Sequence, residues 1–232
     1  MITPFEDARM MLLMVAKALG PDMLNEVAFV GGCTTSMLIT DDLSLEFARY
    51  TDDVDVIVDI IGRKSWYDLQ ELLDKKGFKP SHEDNLLCRF RLGELKVDFM
   101  PHDSSILGFT NRWYEAALAT AQTYTLSDEL SIRILTPPLF IATKLEAYLG
   151  RGNDDPMGSK DIEDILALID GRPELVSEIL SAEADIRDYI SDQLGRLMEN
   201  PNIEYAVQGS ARSSRDREDL MFQRIESLIN VA

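Results

Sequence analysis

Residues 49–58 of this chain read RYTDDVDVIV, and the other motifs of the sequence take their meaning from this run. Its β-branched apolar residues predict a buried strand. Because residues i and i+2 of a strand point to the same face, Asp53 and Asp55 project together and Val54 points away. Two neighbouring carboxylates repel each other, and a divalent cation between them would turn the repulsion into coordination. A solvated strand end, where charges cost little, is the alternative interpretation.

Length and composition indicate an ordinary globular protein. The chain has 232 residues, enough for one large domain or two small ones, and 45% of them are hydrophobic. No apolar run approaches the length of a membrane span, and residues 1–7 lack the basic and then apolar pattern of a secretory signal. The two cysteines, Cys33 and Cys88, do not form a disulfide framework. We therefore expect a cytoplasmic protein with no membrane partner.

The formal net charge of −18 limits the classes of partner. It argues against broad, non-specific nucleic-acid binding, which depends on neutralising phosphates. A local basic patch, or a site that handles polyanions through a metal, is still compatible with it. The charge suits a cationic small substrate or a basic protein partner, and it also simply confers solubility.

The pattern up to about residue 135 predicts an α/β (α+β) domain. Helices are expected over 5–19, from about 33 to 39, and over 64–76. Gly20-Pro21 should end the first of these, and Gly77 should cap the last. Strands are expected over 27–30, 53–60, 86–91, 94–100, 122–126 and 131–135, with the third and fourth forming a hairpin around Leu92-Gly93.

From residue 136 onward the pattern is largely helical, so we expect two domains, residues 1–135 and residues 136–232. Prolines 137 and 138 suit a first helical turn. The segment 200–215, with its Gly, Ser and Arg residues, is typical of a mobile linker. Helices are predicted over 138–149, 159–170, 173–181, 184–198 and 216–229.

A third carboxylate, Asp98, interrupts the apolar strand LKVDFMP of residues 95–101. Val97 and Phe99 share one strand face, and Asp98 takes the other. Burying an unpaired charge is costly, so Asp98 needs a partner. That partner is a metal shared with the other two carboxylates, a pairing lysine, or water on an exposed face.

A Gly-Gly pair, Gly31-Gly32, follows the first predicted strand and opens a predicted helix. Glycine lets the backbone turn sharply and approach a ligand closely. The N–H groups of the next helical turn can hold a phosphate, and the hydroxyls of Thr34, Thr35 and Ser36 would add donors. On its own, Gly-Gly is more often only a turn.

Two charged motifs belong to the helical half. Lys144 interrupts an otherwise apolar helix, where it either extends its amine to water past a buried stem or has a binding role. Asp161 and Asp164 lie three residues apart beside an apolar stripe. Asp161 is also suited to the first turn of a helix, with Ser159 as its N-cap.

Other constellations are weaker. His82 and His102 are the only histidines and show no zinc-ligand spacing. Cys33 at a helix N-terminus is a candidate nucleophile, but such a cysteine is more often a small buried residue, and no fixed histidine partner is visible.

Taken in order, these motifs resemble the nucleotidyltransferase superfamily that includes DNA polymerase β. Its pattern is a Gly-Gly turn, an Asp-x-Asp strand and a third acidic residue on a neighbouring strand. The lysine helix and the motif Lys160-Asp161-Ile162-Glu163-Asp164 are most similar to the AbiEii-type toxins of bacterial toxin–antitoxin systems. The resemblance covers roughly residues 25–170. Cys33 replaces a common hydroxyl residue, and the spacing from Gly32 to Asp53 is longer than usual.

The resemblance implies a mixed-sheet nucleotidyltransferase core, a C-terminal helical domain and a two-metal Mg²⁺ site. Asp53, Asp55 and Asp98 would be metal ligands and catalytic residues. Gly31 and Gly32, with the hydroxyls of Thr34, Thr35 and Ser36, would hold the β- and γ-phosphates of an NTP. Lys144 would bind the triphosphate or pair with an aspartate, and Asp161 would complete the catalytic set.

Three functions follow from the resemblance. The first is an AbiEii-like toxin that modifies RNA, at a tRNA 3′ end, and is restrained by a cognate antitoxin. The second is a small-molecule nucleotidyltransferase of the aminoglycoside-modifying type, which the acidic composition suits. The third is a catalytically silent nucleotidyltransferase-like binding protein.

Overall fold

The structure, a computed structural model, divides the chain into two compact units. It describes residues 2–60, 62–80, 84 and 86–230. The first unit contains residues 1–34 and 49–136, and the second contains residues 35–48 and 137–232. Residues 35–48, expected in the first domain, belong to the helical unit. The backbone N–H groups of Thr40 and Asp41 both donate to the carbonyl of Gly171, each over 2.9 Å.

The described residues form seven strands, twelve α-helices and a 3-10 turn at Gly32–Thr34. The strands are β1 (Val27–Val30), β2 (Asp53–Val58), β3 (Lys79–Pro80), β4 (Arg89–Leu92), β5 (Leu95–Pro101), β6 (Gln122–Ser127) and β7 (Leu130–Ile134). The helices are α1 (Pro4–Leu24), α2 (Thr35–Leu38), α3 (Asp42–Leu45), α4 (Gly62–Lys75), α5 (Ser104–Leu107), α6 (Tyr114–Thr120), α7 (Pro137–Arg151), α8 (Lys160–Gly171), α9 (Leu175–Leu180), α10 (Ala184–Met198), α11 (Ile203–Ser210) and α12 (Arg215–Ile229).

One mixed sheet organises the first unit, with strand order β3-β4-β5-β2-β1-β7-β6. β2 runs parallel to β5, and β1 runs parallel to β7. The other neighbouring strands are antiparallel, including the β4–β5 hairpin, which is confirmed. The expected α/β class is also confirmed.

The alternation predicted for the opening run is visible in β2. Val54 and Val56 are fully buried, while Asp53 and Asp55 are half-buried on the other face. The buried face continues across the sheet to Phe99, which lies opposite Val56. The rings of Phe78 and Phe90 meet the ring of Phe99 edge to face, at centroid distances of 5.3 and 5.6 Å. Such contacts stabilise the hydrophobic side of the sheet and leave the opposite face for polar groups.

The first helix extends beyond its predicted end. A capping box fixes its start, because the side chains of Thr3 and Glu6 bond to each other's backbone N–H groups. Gly20, with φ 71° and ψ 168°, breaks the helical geometry as expected, but α1 resumes and ends at Leu24. Pro21 is compatible with this continuation because it occupies the first position of the new helical segment. Leu24 is buried, so packing supports the extra turn.

In the second unit, α8 has the apolar stripe that its sequence predicts. Ile162, Ile165 and Ile169 are fully buried. The hydroxyl of Ser159 accepts a hydrogen bond from the N–H of Ile162, which confirms Ser159 as the N-cap.

The prediction of a mobile linker over residues 200–215 is wrong. Helix α11 lies inside this segment. Ile203, Val207 and Ala211 are at most 1% exposed, and their spacing of four residues gives a buried helical stripe. The polar residues after Gly209 conceal this short pattern in a composition-based interpretation.

None of the described helices is long and apolar enough to cross a membrane. Cys33 and Cys88 are both free and buried, in accordance with the expected lack of a disulfide framework. Burial raises the pKa of the Cys88 thiol to about 12, so this side chain is an unreactive core residue.

Candidate active site

Two neighbouring parallel strands bring the three predicted carboxylates onto one face of the sheet. In the β2–β5 register, Asp55 lies opposite Asp98, and Asp53 lies opposite Lys96. Because side chains alternate along each strand, these four residues project from the face that is opposite the buried valines of β2. Asp98 is the most buried of the three carboxylates, with 7% of the residue exposed.

Strand β4 extends this face with two arginines. Antiparallel pairing places Arg89 opposite Asp98 and Arg91 opposite Lys96. We refer to six residues as the charged face; they form two rows across β4, β5 and β2, namely Arg91, Lys96 and Asp53, and then Arg89, Asp98 and Asp55. Three cations and three carboxylates balance, so the formal net charge of the face is zero.

Arg89 makes the closest contacts within the charged face. Its Nε and Nη2 atoms donate to the two carboxylate oxygens of Asp98, each over 2.8 Å. Nη2 also donates to Oδ2 of Asp53 over 3.3 Å. The hydrogen bond to Asp98 raises the pKa of the Arg89 guanidinium, and the negative charges of Asp98 and Asp53 add to the effect. Arg89 therefore stays charged and bridges two of the predicted metal ligands.

The other two cations of the charged face have different partners. Arg91 donates through Nε and Nη2 to Oδ2 of Asp84, at 3.1 and 2.7 Å. Lys96 donates to Oδ2 of Asp52 over 2.5 Å, and that aspartate is largely exposed. Of these three cations, Arg89 is the one whose hydrogen bonds reach the predicted metal ligands.

The charged face contains oxygen ligands of the kind that Mg²⁺ prefers, but their arrangement in the structure is not that of a metal site. Carboxylate oxygens are the ligands that Mg²⁺ prefers, and half-buried Asp53 and Asp55 present them on one strand face. Among the residues that the structure describes, however, no group of three or more His, Cys, Asp or Glu is arranged to hold a metal ion. Both oxygens of Asp98 accept from Arg89. Asp53 and Asp55 offer oxygens of the right chemistry, but Oδ2 of Asp53, like both oxygens of Asp98, accepts from Arg89 and can bind a cation only when Arg89 releases it.

The Gly-Gly turn lies directly against this site. Gly31 has φ +82°, a left-handed conformation that favours glycine. A methyl group on its Cα would lie 2.8 Å from the carboxyl carbon of Asp55. A methyl group on Gly32 would lie 3.0 Å from Cζ of Arg49. The backbone of the turn therefore touches a predicted metal ligand on one side and a guanidinium on the other.

Substituting Gly31 by alanine tests this close approach. Gly93, at φ +62° with no atom within 4 Å of an added methyl group, provides a matched control. We expect Gly93→Ala to cost about 1–2 kcal/mol of unfolding free energy through its left-handed backbone. Gly31→Ala should cost about 1–3 kcal/mol more, because its methyl group overlaps the Asp55 carboxylate. Urea denaturation measures both, and equal losses would contradict the packing of Gly31 on Asp55.

The three hydroxyls predicted to bind phosphate have different environments. The hydroxyl of Thr34 donates to the carbonyl of Gly31 over 3.0 Å, so its hydrogen is already used within the turn. Thr35 and Ser36 begin α2 in the second unit and are 3% and 4% exposed. Their hydroxyl oxygens have no hydrogen-bond partner among the described residues. The phosphate-binding role of these two residues stays a prediction.

Lys144 and Asp161 meet inside the second unit. The amine of Lys144 donates to Asp164 over 2.6 Å and to Asp161 over 3.3 Å. Arg151 donates to both oxygens of Asp161, over 2.9 and 2.8 Å. The side chains of Lys144, Asp161 and Asp164 are at most 6% exposed. Lys144 therefore pairs with both aspartates in the structure, whereas its contact with a triphosphate and the catalytic role of Asp161 stay predictions.

The electrostatics of Asp161 reflect this pairing. Burial raises the pKa of its carboxyl group, but hydrogen bonds from Arg151 and the charge of Lys144 outweigh burial and lower the pKa overall. Asp161 therefore remains ionised, and its ion pairs with Lys144 and Arg151 connect α8 to α7.

The structure describes one of the two histidines that show no zinc-ligand spacing. His82 lies outside the described residues. Nε2 of His102 lies 2.9 Å from Oδ1 of exposed Asp59. The sulfur of Cys33 donates to the carbonyl of Val30 over 3.3 Å, and Cys33 is fully buried. This position agrees with the view of Cys33 as a small buried residue.

Sequence reasoning missed Arg49 and Arg89. Arg49 stands in the opening run, and no sequence pattern indicates that it packs against Gly32. For Arg89 a signal existed, because a hairpin that pairs Leu92 with Leu95 also pairs Arg89 with Asp98. The partner that buried Asp98 requires could therefore have been identified as an arginine nine residues earlier.

Comparison with known proteins adds no assignment to this geometry. No protein-family model matches the chain, and no curated protein matches it. The similarity to the nucleotidyltransferase superfamily therefore rests on the motifs and their placement, and membership of that superfamily stays a prediction.

Proposed function

We propose that this chain is a Mg²⁺-dependent nucleotidyltransferase that moves a nucleoside monophosphate from an NTP to an acceptor hydroxyl. One observation carries the proposal: Asp53, Asp55 and Asp98 share a sheet face, and the backbone of Gly31 contacts Asp55. Carboxylates beside a left-handed glycine turn are suited to a metal-bound triphosphate.

Different residues of the first unit would bind the metal ions and the phosphates. Asp53 and Asp55 would hold Mg²⁺ on the triphosphate, and Asp98 would hold a second ion near the acceptor. When bound, Mg²⁺ neutralises the phosphates and polarises the α-phosphorus. Gly31 and Gly32 let the backbone approach the β- and γ-phosphates, as the resemblance implies.

The transfer forms one bond and breaks another. The acceptor oxygen attacks the α-phosphorus, the bond to the bridging oxygen of pyrophosphate breaks, and Asp98 takes the acceptor proton. Asp98 can do so only when Arg89 no longer holds both its oxygens. Positioning and electrostatic stabilisation supply most of the rate in such reactions.

The acceptor that the motifs favour is RNA, at a tRNA 3′ end, with a cognate antitoxin as the protein that restrains the enzyme. A small polycationic acceptor of the aminoglycoside type is supported by the net charge of −18. A catalytically silent binding protein gains support from Arg89, because this arginine neutralises Asp98 and contacts Asp53 without a metal.

Incubation with each of four α-labelled NTPs, Mg²⁺ and total RNA tests the proposal. We expect label in tRNA-sized RNA with at least one NTP, and none when EDTA replaces Mg²⁺. A parallel arm with an aminoglycoside in place of RNA identifies a small acceptor. Absence of transfer to either acceptor with all four NTPs would contradict the enzymatic function and favour the silent protein.

A further inference from the structure

Arg89 contacts two of the residues that are proposed to bind metal. It bonds both oxygens of Asp98 and one oxygen of Asp53, and its side chain is only 15% exposed. The Asp98 side chain is 10% exposed, so this ion pair is shielded from solvent. Bidentate pairs of this kind are among the strongest hydrogen-bonded contacts of a protein.

We propose that Arg89 is an internal counter-ion which a divalent cation must displace from Asp98 and Asp53, so that Arg89 sets the metal affinity of the site. The inference rests on the proposed function, because it concerns the same carboxylates. It goes further by naming the residue that regulates them.

The argument follows from charge and geometry. A guanidinium is always ionised, and its fork covers both oxygens of one carboxylate in a single plane. A divalent cation that binds the same oxygens would meet this positive charge at contact distance, inside a poorly solvated site. Arg89 and the cation therefore exclude each other from Asp98.

A third carboxylate lies near the Arg89 guanidinium. Nη1 of Arg89 lies 4.0 Å from Oδ1 of Asp84. A rotation of the flexible Arg89 side chain toward Asp84 would release Asp98 and keep the guanidinium beside a carboxylate.

Binding of Mn²⁺, measured by electron paramagnetic resonance without nucleotide, tests this inference. Arg89→Gln removes the competing charge, and we expect Mn²⁺ to bind about tenfold more tightly than to the wild type. Arg89→Lys keeps the charge but not the fork, and its affinity should lie between the two. Arg91→Gln removes a charge from the same strand, and its affinity should stay within about twofold of wild type because Arg91 pairs elsewhere.

Thermal unfolding gives a second measurement for the same variants. In EDTA, Arg89→Gln should unfold at a lower temperature than the wild type, because its buried carboxylates lose their counter-ion. Saturating Mn²⁺ should raise its unfolding temperature by more than it raises that of the wild type. Arg89→Lys gives the same comparison if the glutamine variant does not fold.

The outcomes separate this inference from the proposed function. If neither Arg89 variant binds Mn²⁺ more tightly than the wild type, the counter-ion inference is overturned, and nucleotide transfer in the RNA assay is unaffected by that result. If Arg89→Gln gains affinity but no variant transfers nucleotide, the inference is supported and the enzymatic function is not.

Discussion

Replacing Lys144 by methionine is expected to lower the free energy of unfolding by about 3–5 kcal/mol, as for other broken buried ion pairs. The amine lies 2.6 Å from Asp164, whose side chain has no exposed surface, and 3.3 Å from Asp161. Methionine keeps the apolar stem but removes the cation from between two carboxylates. Urea denaturation followed by far-UV circular dichroism measures the loss.

Two further variants make this result specific. Lys160 is exposed at the start of α8, and Lys160→Met should change stability by no more than about 0.5 kcal/mol. Replacing Lys144 by Met and Asp164 by Leu together should restore part of the loss, because a carboxylate is removed with its partner. Wild-type stability in Lys144→Met alone would show that the ion pairs do not stabilise the unit.

Asparagine in place of Asp55 is expected to reduce nucleotide transfer by about 10²–10³-fold, the effect of losing one electrostatic contact to a transition state. The substitution keeps the shape that packs against Gly31 but removes the charge that would hold Mg²⁺. The fold should persist, because Asp55 is half-buried. Trp66 and Trp113 are buried in the first unit, so their fluorescence reports whether it remains folded.

Asp59 provides the matched control for this substitution. It follows β2 directly, its side chain is 62% exposed, and it contacts His102 outside the charged face. Asp59→Asn should transfer nucleotide at the wild-type rate. Equal rates in wild type, Asp59→Asn and Asp55→Asn would remove Asp55 from the site.

Much of the first unit could be predicted from local patterns. The alternation of Asp and Val in residues 53–56 predicts the face of the carboxylates, because the side-chain period of a strand is two. The lone Asp98 in an apolar strand predicts a partner, because an unpaired buried charge is costly, but it leaves open whether the partner is a metal, a lysine or water. These inferences succeed because they depend on neighbours within a few residues.

Features that depend on distant contacts could not be predicted in the same way. The parallel register that sets Asp55 opposite Asp98 joins two strands 43 positions apart, and no local pattern specifies it. The assignment of residues 35–48 to the helical unit depends on backbone bonds to Gly171, far along the chain. Two considerations are needed to predict that Arg89 neutralises Asp98: the register of the β4–β5 hairpin and the need of buried Asp98 for a positive partner.

The hairpin of β4 and β5 has a consequence for the order of folding. Arg89 and Asp98 are nine residues apart and face each other across a tight turn, so their ion pair can form as soon as the hairpin closes. When β5 then docks against β2, it buries an ion pair. Burying this pair costs far less free energy than burying an unpaired carboxylate. The same arginine that competes for the site in the folded protein thus lets the carboxylate enter the sheet.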